Sequence, residues 1–325
     1  STLDRSSAAS DVYKRQILCF KKGGIVMLNF FNAIVIGFVQ GVAEFLPISS
    51  SGHLVLVYEL FKINENSFAL TIFLHMATLF SIIYVYRKDI LKLIKHPFCK
   101  TNKLLFTATI PTVVVALILK KTITNSFNLN FIIFGFIFTA LILGIADYLS
   151  EKQALLSISQ LKATQGDVLL KYQSPTITIK NNTIIHEKAP IFSESDITNI
   201  GISYAQSIVI GLAQGLACFP GISRSGSTIA TALMLKVNKK DATTFSFLLS
   251  IPVILGSMIL AIADYNKSGS TLSIPSILVA CAVSFVVGIF AINLLNKVVK
   301  KQKLSYFSYY LLALVFVILF IKFVF

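Results

Sequence analysis

Ile34 to Val55 reads IVIGFVQGVAEFLPISSSGHLV, and Ile208 to Ile229 reads IVIGLAQGLACFPGISRSGSTI. Aligned without a gap at an offset of 174, the two stretches agree at 12 of 22 positions. Apolar helices match one another by chance at Ile and Val. Chance does not supply the shared Gln-Gly, Phe and Ile-Ser-x-Ser-Gly at one constant offset, so the chain carries an internal duplication. Each copy begins as an apolar helix and then runs into Pro, Gly and Ser instead of continuing.

The 325 residues around these copies are 55% hydrophobic and 13% charged, with a mean hydropathy of +0.78. That is too apolar for an ordinary soluble domain and points to a bilayer. Six runs are long and apolar enough to cross one, namely Phe68 to Tyr86, Leu104 to Leu119, Phe131 to Leu149, Thr243 to Ala263, Ile274 to Leu295 and Tyr306 to Phe325. The second carries Pro111, where a kink is expected. The fold class expected is an all-α polytopic membrane protein of two inverted-topology repeats, each a re-entrant broken helical hairpin plus three transmembrane helices. The inversion follows from the odd number of spans in each half, which starts the second copy from the opposite side. A helix that breaks at membrane depth survives only where it lines a protein-enclosed polar cavity, and inverted repeats place that cavity near the midplane.

Charge sets the expected orientation. If each hairpin returns to the side it entered, one side receives Arg87, Lys88, Lys92, Lys95, Lys100 and Lys103, then Lys236, Lys239 and Lys240, then Lys297, Lys300, Lys301 and Lys303. The other side receives little more than Lys62, Lys120, Lys121 and Lys267. By the positive-inside rule the first side is cytoplasmic, with both termini outside. The net charge of +15 is spread in these clusters rather than in one stripe, so nucleic acid is excluded as a partner. A second copy of the chain is a candidate partner.

The domain reading has four parts. Residues 1–26 do not resemble the rest and are expected to be a non-native extension, with translation starting at Met27. Residues 27–149 form repeat 1, 150–199 a polar cytoplasmic insertion and 200–325 repeat 2. Alternation in Val168 to Tyr172 and in Thr176 to Glu187, with Asn181 and Asn182 at a turn, suggests a small β-hairpin in an insertion to which no chemistry is assigned. The four cysteines, Cys19, Cys99, Cys218 and Cys281, show neither zinc-site nor disulfide spacing.

Ionisable groups inside a membrane are expensive and are functional candidates by default. The two hairpins hold Glu44, His53 and Arg224, surrounded by Ser49, Ser50, Ser51, Gly52, Ser223, Ser225, Gly226, Ser227 and Thr228. Pro47 and Pro220 each precede a short Ser/Gly loop that opens a new helix, so backbone N–H groups and a positive helix end can face a bound anion. Phosphate is the fitting ligand, and Arg224 offers it a planar, permanently charged fork. Pairing of Arg224 with Glu44 is the structural alternative, compatible with the first. Glu44 lies one helical turn beyond Gln40, so the two share a face and could hold a divalent cation or orient a hydroxyl or water. Burial disfavours the charge of Glu44 unless a cation or Arg224 compensates, a setting that suits proton transfer. His53, three residues after Ser50, is expected to face the same site as acid or base, with Ser50 the nucleophile or a simple helix cap. His75, in the middle of the first span, is as consistent with packing as with a site. Copy two has Cys218 where copy one has Glu44, and Arg224 where copy one has Ser50. The copies have divided their labour.

The stretches QGVAEFLPISSSGH and PGISRSGST resemble the two signatures of the bacterial undecaprenyl-pyrophosphate phosphatases of the bacitracin-resistance type. The resemblance covers Met27 to Phe325 apart from the insertion. It implies hydrolysis of undecaprenyl diphosphate to the monophosphate and inorganic phosphate, which recycles the carrier for cell-wall synthesis. It also implies action from the outer side of the cytoplasmic membrane and dependence on a divalent cation, Mg²⁺ or Ca²⁺. The family's acidic motif falls on Gln40 and Glu44, its hydroxyl and histidine cluster on Ser49, Ser50, Ser51 and His53, and its second signature on Ser223, Arg224, Ser225, Gly226 and Thr228. Gln40 stands where many members have Glu, which weakens any scheme with two metal-binding carboxylates. The competing class is a transporter or flippase of polyprenyl phosphate, because inverted repeats with broken helices also build transporters. A transporter needs the anion cradle and Arg224 but not a reactive Ser/Glu/His set.

Overall fold

The computed structural model describes residues 30–61, 67–163, 177–180, 183–186, 197–265, 274–300 and 304–324. The N-terminal extension, the alternation at Val168 to Tyr172 and the turn residues Asn181 and Asn182 lie outside these.

Helix α1 (Phe30–Phe45) stops just before Pro47, and α2 (Ser50–Leu60) starts from Ser49 as its N-cap. At 1.5 Å per residue the two helices are roughly 24 Å and 16 Å long, each short of the ~30 Å of a bilayer core. Helix α3 (Ser67–Val85) is followed by α4 (Arg87–Lys95), bent away by 78°. Helix α5 (Lys100–Ile118) runs unbroken through Pro111, and the short α6 (Lys120–Asn125) leads to α7 (Leu129–Ala163). The second half repeats the plan. Helix α8 (Tyr204–Leu216) opens with a reciprocal capping box between Ser203 and Gln206, and α9 (Arg224–Met234) starts from the N-cap Ser223. Three long helices follow, α10 (Lys239–Tyr265), α11 (Ile274–Lys300) and α12 (Ser305–Val324).

Among the described residues five helices are long and apolar enough to cross a membrane, and the bent pair of α3 and α4 adds a sixth. These are the six expected runs. The protein is a multi-pass membrane protein. Phe106, Phe134, Phe290 and Phe316 lie on the outward faces, each more than half exposed, as lipid contact requires. Two differences from the expected boundaries are instructive. Helix α7 is 35 residues long and continues to Ala163, well into the stretch assigned to the insertion. Glu151, Lys152 and Gln153 end the apolar run but are good helix formers, so the span stops and the helix does not. In the insertion itself, β1 (Ile177–Lys180) pairs antiparallel with β2 (Thr183–His186), Lys180 opposite Thr183, at the place where the alternation suggested a hairpin.

The halves are packed by exchange. Helix α1 lies along α11 of the other half, and α8 lies along α5. Glycines make both approaches close. A Cβ on Gly37 would run into the Ala280 carbonyl and one on Gly211 into the Ala108 carbonyl. One turn later, a Cβ on Gly41 would lie 2.8 Å from Ser284 O and one on Gly215 2.7 Å from Val115 Cβ. Thr112 Oγ1 donates to Gly211 O at 2.8 Å across the second contact. The core between the halves is filled by Phe45, Phe136, Phe245 and Phe247, with Phe45 and Phe247 meeting edge to face at 5.8 Å.

Candidate active site

The duplicated Ser-x-Ser-Gly folds as the same cap twice. Ser49 Oγ accepts from Gly52 N at 3.4 Å and meets Ser51 Oγ at 3.2 Å. Ser223 Oγ accepts from Gly226 N at 3.1 Å and meets Ser225 Oγ at 3.3 Å. Each serine satisfies a helix-end N–H that would otherwise be orphaned. The copies differ in where the turn becomes left-handed. In the second, Gly221 has φ +83°, which glycine adopts at no steric cost. Its aligned residue in the first copy is Pro47, whose ring fixes φ near −65°, and there Ser49 takes φ +71° instead. A serine in that region carries strain of about 1–3 kcal/mol, and such strain collects at functional loops.

The two turns meet. Ser225 Oγ donates to Leu46 O at 3.3 Å, and a Cβ on Gly226 would lie 3.1 Å from Pro47 Cβ. Gly52 packs on the Phe136 ring and beside Gly221. Thr139 of α7 locks the second turn, accepting from Ser223 N at 3.0 Å while its hydroxyl faces Gly135 O at 2.9 Å and Gly221 O at 3.3 Å.

Glu44 stands at the junction, 5% exposed. Its Oε2 accepts from Ser50 Oγ at 2.7 Å and from Gln40 Nε2 at 3.1 Å, and His75 Nε2 of α3 stands 3.6 Å from the same oxygen. Its Oε1 is ion-paired with Arg224 Nη2. Arg224 also reaches Ser250 O of α10 at 3.5 Å. A carboxylate buried without a partner would be prohibitively costly, and this one has a permanent cation from the other repeat. The result is a hydroxyl hydrogen-bonded to a carboxylate whose other oxygen faces a guanidinium, at the opening of two helices.

Among the residues singled out from sequence, Gln40, Glu44, Ser50 and Arg224 are thus brought together, with Ser49, Ser51, Gly52, Ser223, Ser225 and Gly226 forming the turns around them. His53 is placed differently from the expectation that it shares the site of Ser50. Its Nδ1 bonds Ser49 O at 2.7 Å, its Nε2 bonds Tyr310 OH at 2.9 Å, and its ring stacks on Tyr310 of α12 at 5.8 Å. Thr228 is turned to α10, with Oγ1 at 2.6 Å from Ser246 Oγ. The imidazole beside Glu44 belongs to His75, whose Nδ1 bonds Thr71 O at 2.8 Å. His75 carried a signal in the sequence, an ionisable residue in mid-span. Thr139 and Tyr310 carried none, because a hydroxyl in an apolar helix is ordinary until the fold gives it a partner.

Among the described residues no group of three or more His, Cys, Asp or Glu is placed to hold a metal. A site shared with a phosphate ligand needs fewer protein donors. Gln40 Oε1 is buried with no hydrogen-bond partner, and an amide turned over would aim that oxygen at the Glu44 side, orientations of amides being assigned from networks. Gln40 and Glu44 therefore fit as the oxygen donors of a cation that takes the rest of its shell from phosphate and water.

The family model described as "Bacitracin resistance protein BacA" matches residues 33–317, which include both duplicated stretches, five of the six spans and the larger part of the sixth. The chain belongs to this family. The undecaprenyl-diphosphatase of Alkaliphilus metalliredigens is 35% identical over 303 residues, 87% of this chain and 95% of its own length. That of Carboxydothermus hydrogenoformans is 32% identical over 287 residues, covering 87% and 94% of the two chains. Undecaprenyl-diphosphatase 4 of Bacillus thuringiensis subsp. konkukian is 33% identical over 297 residues, covering 91% and 98%. Coverage this complete places the Glu44, Ser50 and Arg224 network inside the region shared with these relatives.

Proposed function

We propose that the protein is a membrane phosphatase that hydrolyses undecaprenyl diphosphate to undecaprenyl phosphate and inorganic phosphate. Family membership supports the substrate and reaction. The observation that carries the mechanism is the Ser50 hydroxyl 2.7 Å from Glu44, with Arg224 of the other repeat on the opposite carboxylate oxygen.

The terminal phosphate of the substrate competes with Glu44 for the Arg224 fork, because a phosphate offers the guanidinium two parallel charge-assisted bonds. Released from Arg224, Glu44 is free to take the Ser50 proton as Ser50 Oγ attacks the terminal phosphorus. The bridging P–O bond then breaks, undecaprenyl phosphate leaves, and the phosphoryl group is on Ser50. Glu44 gives the Ser50 proton to the departing undecaprenyl phosphate, takes a proton from the water that attacks the Ser50-bound phosphorus, and returns it to Ser50 Oγ as phosphate departs. Arg224 and the first N–H groups of α2 and α9 stabilise the charge on the equatorial oxygens. His53 acts as a positioning residue, holding the Ser49 carbonyl and so the strained turn before Ser50. Gln40 and Glu44 would hold a divalent cation, Mg²⁺ or Ca²⁺, which when bound neutralises charge on the phosphate oxygens.

The same reading assigns residues 27–149 and 200–325 as inverted repeats around a polar insertion, supported by the exchanged packing of α1 on α11 and α8 on α5. It places the protein in a bacterial cytoplasmic membrane with the site open to the outer side and both termini outside, supported by the clustering of Lys and Arg described above.

The test is phosphate release from a polyprenyl diphosphate by the purified protein, with and without chelator, for the parent and for Ser50→Ala, Glu44→Ala and Arg224→Ala. Loss of release in all three folded variants is expected. No release by the folded parent with any divalent cation would refute the enzyme and favour transport of the lipid. A retained single turnover in Ser50→Ala would replace the covalent route with direct attack by water.

A further inference from the structure

Helix α4 reads RKDILKLIK and leaves α3 at 78°. About nine residues make only ~13 Å of helix, too short to span anything. Its inner face is satisfied: Leu93 is 6% exposed and Ile90 packs beside it on the core. Its outer face is not. Leu91 is 56% exposed, Ile94 68% and Phe98, in the turn that follows, 85%. At 100° per residue Leu91 and Ile94 fall on one flank, and the exposed Lys88, Lys92 and Lys95 on the neighbouring one. Such a pattern of apolar flank, basic flank and low overall hydrophobicity describes a helix lying in a membrane interface.

Two further features fix the level of that interface. At the end of α3 the Arg87 guanidinium lies 4.8 Å from the centre of the Tyr84 ring and donates to Tyr84 O at 2.7 Å. Tyr84 itself is half exposed on the same outward face as Phe80, so an aromatic ring with an arginine folded over it marks where hydrocarbon gives way to headgroups. At the far end Asn102 of α5 donates to Leu93 O at 2.9 Å and to His96 O and Pro97 O at 3.2 Å. Both ends of α4 are therefore pinned at a fixed angle to the bundle.

We infer that α4 is an in-plane anchor whose Leu91, Ile94 and Phe98 enter the adjoining leaflet while Lys88, Lys92 and Lys95 bind anionic phospholipid headgroups. A second copy of the chain is the weaker occupant, because a two-fold contact through this face would bring the same lysines against each other. Each lysine that reaches a headgroup favours anionic lipid by about 1 kcal/mol, or about fivefold.

The chain has no tryptophan, so Ile94→Trp or Phe98→Trp places a single fluorescent reporter on this flank of the full-length protein. In nanodiscs the reporter is expected to emit to the blue, to resist aqueous acrylamide and to be quenched by phospholipid brominated near the headgroup end of its chains. Brominated phosphatidylglycerol diluted into phosphatidylcholine should quench several-fold better than brominated phosphatidylcholine at the same fraction. The triple change Lys88→Gln, Lys92→Gln, Lys95→Gln should remove most of that preference, as should high salt. Quenching by acrylamide and not by bromolipid would overturn the anchor. Blue emission without bromolipid quenching would overturn it in favour of a protein partner. Equal quenching by the two lipids in the parent would overturn the anionic binding.

Discussion

Replacing Glu44 by Gln separates the charge of this residue from its shape. The carboxylate accepts from Ser50 and Gln40 on one oxygen and from Arg224 on the other. An amide can keep its oxygen toward Arg224. Its NH₂ then faces Ser50 Oγ, which can accept as readily as donate, and Gln40, which can turn over and offer its unpartnered Oε1. No new buried orphan is forced, so the cost in stability is that of one charge-assisted contact, about 1–3 kcal/mol. Glu44→Ala leaves the Arg224 charge unpaired in a buried place and costs more, about 3–5 kcal/mol. Activity should hardly separate the two. With no group to take the Ser50 proton, phosphate release by Glu44→Gln should fall by roughly 10²–10⁴-fold, nearly as far as Glu44→Ala. The assay is initial phosphate release alongside thermal unfolding, both in the same nanodiscs. A folded Glu44→Gln variant that keeps more than about a tenth of the parental rate would refute Glu44 as the proton acceptor, since general-base losses start at about 10²-fold.

Arg224→Lys keeps the charge and loses the fork. Release should drop by about 10–100-fold, the value of one charge-assisted bond of about 1.5–3 kcal/mol, with thermal stability close to the parent's. Gly52→Ala puts a Cβ 2.5 Å from the Phe136 ring, so it should lower unfolding free energy by about 1–3 kcal/mol, and adding Phe136→Leu should restore much of the loss. Gly37→Ala and Gly211→Ala press on backbone carbonyls that no rotamer change can move. Both should destabilise to a similar degree in thermal unfolding, because the two exchanged contacts are equivalent. Tyr310→Phe removes the partner of His53 Nε2. If His53 acts by holding the Ser49 turn, this variant should keep most of its activity while His53→Ala loses it.

Much of the site was legible because its chemistry is carried by residues a membrane helix does not otherwise contain. Glu44, Arg224 and the two Ser-x-Ser-Gly turns stood out as a repeated pattern, and the fold joined them. Direction was harder to read. His53 and Ser50 are three apart, yet the helix opening turns one toward Tyr310 and the other toward Glu44, a choice made by α12, some 257 positions away. Helix α4 was hidden for a different reason: its lysines read as loop charges that set topology, while its apolar residues are too few to form a run. Pro111 lies within the continuous α5, and the next residue, Thr112, spends its hydroxyl on the neighbouring α8. The exchanged packing of the halves had no local trace, since Gly37 and Gly41 read the same whether the partner is α3 or α11.

That exchange bears on how the chain is made. Gly37 contacts Ala280, so the glycine face of the first described helix stays without this partner until some 240 further residues have followed. At about 5–20 residues per second that is a wait of roughly 12–50 s. Glu44, on the same helix, meets its counter-charge only when Arg224 arrives. Until their partners follow, Glu44 has the hydroxyl and amide of its own half but not its counter-charge, and the glycine groove lacks the helix that fills it. The ordering of synthesis thus asks for a custodian of the N-terminal half, and a chain truncated before α11 should be the species that a membrane protease removes first.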